Sequence, residues 1–66
     1  MGINYKPLWK LLIDRDMTKT DLRKKTDIAS STLAKMNRNE LVSLDVLVRI
    51  CCVLDCKLSD IAEVEK

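Results

Sequence analysis

Gly2 is the only glycine in this 66-residue chain and Pro7 the only proline. From residue 8 onward the backbone must turn without either of the residues that most readily reverse or break it. That restriction argues for helices joined by short turns. No alternating apolar and polar stretch is long enough to read as a strand. Only Tyr5 and Trp9 are aromatic, so the core must be aliphatic, mainly Leu, Ile and Val. The fold class that follows is all-α. At this length one domain over residues 1–66 is expected, burying only about 60% of the surface its unfolded form exposes. A partner subunit would add stability to such a chain.

Residues 2–6 read as a short lead, with Ile3 or Tyr5 packing back. Pro7 suits a helix start, where its missing N–H costs nothing. Leu8, Leu11 and Leu12 then recur at three- and four-residue steps, with Trp9 and Ile13 beside them and Lys10, Asp14 and Arg15 on the wet side. This helix should end near Asp16, with Met17 plugging the core at the entrance of the next. Trp9 reads as a packing residue. A fourth helix is expected over 44–54, capped by Ser43, with Leu44, Leu47, Val48, Ile50, Cys51 and Leu54 on one broad face. Val46 and Val53 lie beyond its edge as a second apolar strip. Asp55-Cys56-Lys57 should turn the chain, and Leu58, Ile61 and Ala62 suggest a short fifth helix or turn. The last residues, 63–66, read as a tail.

Between these segments, residues 18–36 read as two short helices around a sharp turn. Thr18 with Asp21 three positions on has the spacing of a capping box, in which hydroxyl and carboxylate each satisfy an orphan amide. Leu22 and Ile28 are the apolar anchors on either side of the turn. The helices should cover about 19–25 and 29–36, and Asn37 or Asn39 suits the left-handed residue that ends the second. At about 100° per residue, Ser30, Ser31, Ala34, Lys35 and Arg38 share one arc, while Ala29, Leu33 and Met36 point the other way, into a core. The exposed arc carries no bulky apolar group and no carboxylate. A helix with such a face could enter a DNA major groove, which is wide enough to admit one; it could equally be a solvated surface helix.

Charge favours the first reading. Residues 1–42 hold nine Lys/Arg against five Asp/Glu, a balance of +4, and residues 43–66 hold three against five, a balance of −2. A basic zone beside an acidic tail suits one face turned toward phosphate and another kept away.

Other chemistries find little support. The chain has no His, which removes the commonest general base and metal ligand. Cys51, Cys52 and Cys56 lack the paired spacing and the fourth soft ligand of a zinc site, so no metal and no cofactor is expected. Cys51 and Cys56 read as core, with Cys52 nearer the charged flank. No glycine loop is present to cradle phosphates, and an enzyme is not expected. No apolar run approaches the roughly 20 residues of a membrane span, and nothing at the start resembles a signal peptide. With an odd number of cysteines the expected setting is a reducing cytoplasm.

In order, Met17-Thr18-Lys19-Thr20-Asp21-Leu22, Ile28-Ala29-Ser30-Ser31-Thr32-Leu33 and Ser43-Leu44-Asp45-Val46-Leu47 resemble the Cro/C1-type helix-turn-helix regulators. Leu-Ala-Lys-Met at 33–36 and Ile-Cys-Cys-Val-Leu-Asp-Cys at 50–56 are similar to a small, single-domain group among them. The resemblance implies a compact five-helix, lambda-repressor-like domain that binds double-stranded DNA, commonly as a homodimer, and regulates transcription in bacteria or their mobile elements. By position it implies base reading by Ser30, Ser31 and Lys35, and phosphate contacts from Lys19, Thr32 and Arg38. For Lys35, a phosphate contact or plain solvation stands as the alternative. Val46, Val53 and Val64 are candidates for a dimer interface, and no small-molecule effector is implied. Two positions depart from the family pattern: Asp27 stands where glycine is common between the two helices, and Arg23 where a small alanine is usual, so that its stem must snorkel outward. The rival reading is a protein-interaction module, an antitoxin-like or accessory subunit with weak DNA binding.

Overall fold

The computed structural model describes residues 2–66; residue 1, where the expected domain begins, lies outside them. A short strand β1 (Gly2–Asn4) leads into helix α1 (Lys6–Asp14). Helices α2 (Lys19–Thr26), α3 (Ser30–Asn37) and α4 (Leu44–Leu54) follow. A single 3₁₀ turn, Leu58–Asp60, precedes strand β2 (Glu63–Glu65), which pairs antiparallel with β1.

The fold is therefore mostly helical, as expected, with two refinements. The fifth helix is one 3₁₀ turn, and the two terminal segments close on each other as a ribbon. Ile3 stands opposite Val64, and Asn4 Nδ2 donates to Glu65 Oε1 across 2.8 Å. Three-residue strands carry too little alternation to register as strands; they are stabilised by their pairing and by Ile3 packing against the core.

Helix starts follow local chemistry. Thr18 Oγ1 accepts from the Asp21 amide at 3.1 Å, and Asp21 Oδ2 accepts from the Thr18 amide at 3.1 Å. This is the expected capping box. Ser43 Oγ accepts from the Val46 amide at 3.4 Å, opening α4. Pro7 lies in the first turn of α1. Helix ends use the residues that tolerate left-handed backbone in place of glycine: Asp16, Asp27 and Asn39 at φ 56° and Asp55 at φ 51°. Asparagine and aspartate visit this region at lower cost than other residues with a Cβ.

The core joins Tyr5, Leu8, Leu12, Leu22, Met36, Leu47, Ile50, Leu54 and Ile61. Leu8 and Leu12 are one turn apart on α1, and Leu47, Ile50 and Leu54 form one stripe on α4. Burying each such side chain contributes about 1.5–3 kcal/mol. Helices α2 and α4 pack together, and the 3₁₀ turn bridges α1 and α4. Among the described residues Thr26 is the one buried polar residue; its hydroxyl donates to the Leu22 carbonyl at 2.7 Å.

On α4 the expected broad face is too broad. Leu44 is 63% exposed and Val48 50%, whereas Val46 is half-buried against the core. At about 100° per residue, Val48 lies roughly 120° from the middle of the Leu47–Ile50–Leu54 stripe, and Val46 only about 80°. Ala29, expected inside, is exposed because it is the extended N-cap of α3 and not part of its first turn.

Candidate nucleic-acid interface

Helices α2 and α3 are joined by the three residues Asp27, Ile28 and Ala29. Asp27 supplies the left-handed turn at φ 56°, and Ile28 is buried at 5% exposure directly after it. Leu22 on one side and Met36 on the other are fully buried. These anchors set the helix pair and leave the opposite face of α3 to solvent. Arg23, in the position that needed room for a long stem, is half-buried. With Lys24 and Lys25 it places three basic residues in the last turn of α2, where the helix dipole favours positive charge.

Ser30, Ser31 and Lys35 are all exposed on α3, and Thr32 and Ala34 are half-buried beside them. Among the described residues the ion pairs are Arg38 with Glu40 and Arg49 with Asp45. Neither takes up Lys35. Arg38 caps α3 and donates from Nε to the Glu40 carboxylate, so one of its five N–H groups is engaged within the chain. Asp21 is held below its ordinary pKa of 3.8, first by the Thr18 amide and then by the Thr18 hydroxyl, with Lys24 and Lys25 adding to the effect.

Lys19 is placed differently from a free surface lysine. Its Nζ lies 4.2 Å from the centroid of the Trp9 ring and donates to Asn37 Oδ1 across 2.6 Å. The expected packing role of Trp9 holds, since it lies half-buried against the core, but its ring face also takes a cation. From the sequence, Asn37 reads only as a helix stop. Nothing in spacing links residues 9, 19 and 37, so sequence reasoning misses the cluster.

The three valines proposed for a partner contact divide. Val46 is half-buried in the chain's own core, Val53 is 38% exposed and Val64 73% exposed. Val64 and its cross-strand partner Ile3 line two adjoining apolar grooves of about 380 and 290 Å³, the first completed mainly by Leu47, Leu58 and Ala62 and the second by Leu41. None of these residues belongs to α2 or α3.

A family model described as the Cro/C1-type HTH DNA-binding domain matches residues 7–66. The chain belongs to that family. The Cro/C1-type domain is also similar to a solved structure described as "Crystal structure of transcriptional regulator VanUg, Form II". The two share 52% sequence identity with a TM-score of 0.93, over 94% of this chain and 83% of that one. No curated protein matches the chain. No helix among the described residues of this Cro/C1-type domain is long and apolar enough to cross a membrane.

Proposed function

We propose that this Cro/C1-type domain is a transcriptional regulator that binds double-stranded DNA sequence-specifically, with α3 lying in the major groove. The observation that carries this reading is the face of α3: Ser30, Ser31 and Lys35 stand exposed together, with no carboxylate on the helix and, among the described residues, no ion pair on the lysine. Phosphate contacts position such a domain and base contacts specify its site. Lys19, Thr32 and Arg38 take the positioning role. Ser30, Ser31 and Lys35 reach base edges, Lys35 favouring the O6 and N7 acceptors of guanine. Similarity to a structure described as a transcriptional regulator supports the regulatory role.

One domain has a small footprint, so a two-fold homodimer on half-sites about 34 Å apart completes the reading. The second copy seats on the apolar grooves around Ile3 and Val64, which lie off the helix pair and leave α3 free.

Retention of the protein on duplex DNA at increasing salt tests the proposal. The logarithm of affinity should fall linearly with the logarithm of salt concentration. Failure to retain any duplex at low salt would refute it.

A further inference from the structure

Trp9, Lys19 and Asn37 come from three different helices and meet at one point. The ammonium of Lys19 has three donors and no acceptor, so its 2.6 Å contact with Asn37 fixes the oxygen of that amide toward the lysine. The Nδ2 group is thereby turned away, with both of its N–H donors free of the lysine. One Lys19 N–H is spent on Asn37 and another faces the indole ring at 4.2 Å, which leaves one for an outside acceptor. Lys19 and Asn37 are both exposed, and among the described residues neither ion pair brings a carboxylate to Lys19.

The side chains of Lys19 and Asn37 thus turn donors toward solvent, beside a cation held in place on two sides. Asn37 ends α3, where the helix dipole amounts to about half a negative charge; the full positive charge of Lys19 outweighs it. An anion with several acceptor oxygens fits this arrangement, and on a duplex that anion is the backbone phosphodiester. We infer that Lys19 and Asn37 form a single phosphate-binding pair, in which Asn37 contacts the phosphate directly through Nδ2 and Trp9 is a positioning residue holding the ammonium over its ring. This inference rests on the DNA-binding reading above and extends it to two residues that reading leaves out.

The test measures binding of the full chain to two unrelated duplexes, for the wild type and for Asn37→Asp. The substitution keeps an oxygen for Lys19 and nearly the same shape, but replaces the outward donor with a repelling carboxylate. Affinity should fall about tenfold or more, equally on both duplexes. A second pair of variants tests the ring. Trp9→Leu keeps apolar bulk but loses the π-face and should weaken binding about threefold, and Trp9→Tyr should restore most of that. Wild-type affinity in Asn37→Asp, or a loss confined to one duplex, would overturn the inference and leave the DNA-binding reading standing. Equal affinities for Trp9→Leu and Trp9→Tyr would overturn the positioning role of the ring. A wild-type protein that retained neither duplex would remove the reading itself, and the inference with it.

Discussion

The hydroxyl of Tyr5 donates to the carbonyl of Glu40 across 2.8 Å, fastening the loop after α3 to the segment before α1. Tyr5 is fully buried, and its amide also donates to Asn39 Oδ1 at 3.2 Å. Asn39 in turn holds the left-handed conformation that ends α3. One side chain thus joins the start of the chain to the exit of the helix on which the proposed function depends. Tyr5→Phe removes the donor and leaves the carbonyl unpaired. The expected cost is about 1–3 kcal/mol, read as a lower urea midpoint with an unchanged slope.

Alkaline pH should act through the same residue. Burial raises the Tyr5 hydroxyl above its ordinary 10.0. The Cys56 thiol is pushed from 9.0 up to about 11, by burial first and then by neighbouring Cys51. Both groups are neutral when protonated, and in both the folded pKa exceeds the unfolded one. Their contribution to stability is therefore fully present below pH 9 and lost as pH rises through the folded values. Unfolding free energy should decline above pH 9, and less steeply in Tyr5→Phe and Cys56→Ala. Equal decline in all three proteins would show that neither group is responsible.

At Asp27 the backbone, and not a side-chain contact, sets the expectation. Its φ of 56° is costly for alanine, so Asp27→Ala should lose about 1 kcal/mol. Asp27→Gly should stay within about 0.5 kcal/mol of the wild type, since relief of left-handed strain is offset by a more flexible unfolded chain. The glycine variant also removes a negative charge between α2 and α3, so it should bind duplex DNA more tightly at low salt. Thermal denaturation and a binding titration check the two halves.

Much of this architecture was legible in the sequence because its signals are local. Ser43 and the Leu47–Ile50–Leu54 spacing gave α4 its bounds, and Thr18 with Asp21 gave the start of α2. Asparagine's tolerance of left-handed backbone pointed to Asn37 or Asn39, and Asn39 adopts it; the family pattern marked Asp27 as standing in a glycine's place, and it adopts the same backbone. What escaped was non-local. The β1–β2 ribbon joins residues 61 positions apart, and neither strand is long enough to show a period. Tyr5 could be read only as one of two residues packing back, and its full burial depends on a loop thirty-five positions away. Lys19 was legible as a basic residue at a helix start, but its seat between Trp9 and Asn37 is a product of how three helices cross.

The apolar grooves give a separate expectation. If a second copy covers Ile3 and Val64, Val64→Lys should shift the protein to monomer in sedimentation at micromolar concentration. Folding should survive, because Val64 is 73% exposed. Affinity for a two-half-site duplex should drop with it, while affinity for a single half-site stays the same. A wild type that sediments as a monomer, or a variant that still pairs, would remove these grooves as the dimer surface.

Selection of bound fragments from random duplex DNA, run in parallel with the wild type and Lys35→Ala, tests the central claim most directly. The account predicts that the wild type enriches one sequence, and that Lys35→Ala loses preference by about 1–3 kcal/mol at one base pair while keeping the rest of the pattern. No enriched sequence with the wild type, or an equal loss on every sequence with the variant, would contradict base reading by the exposed face of α3.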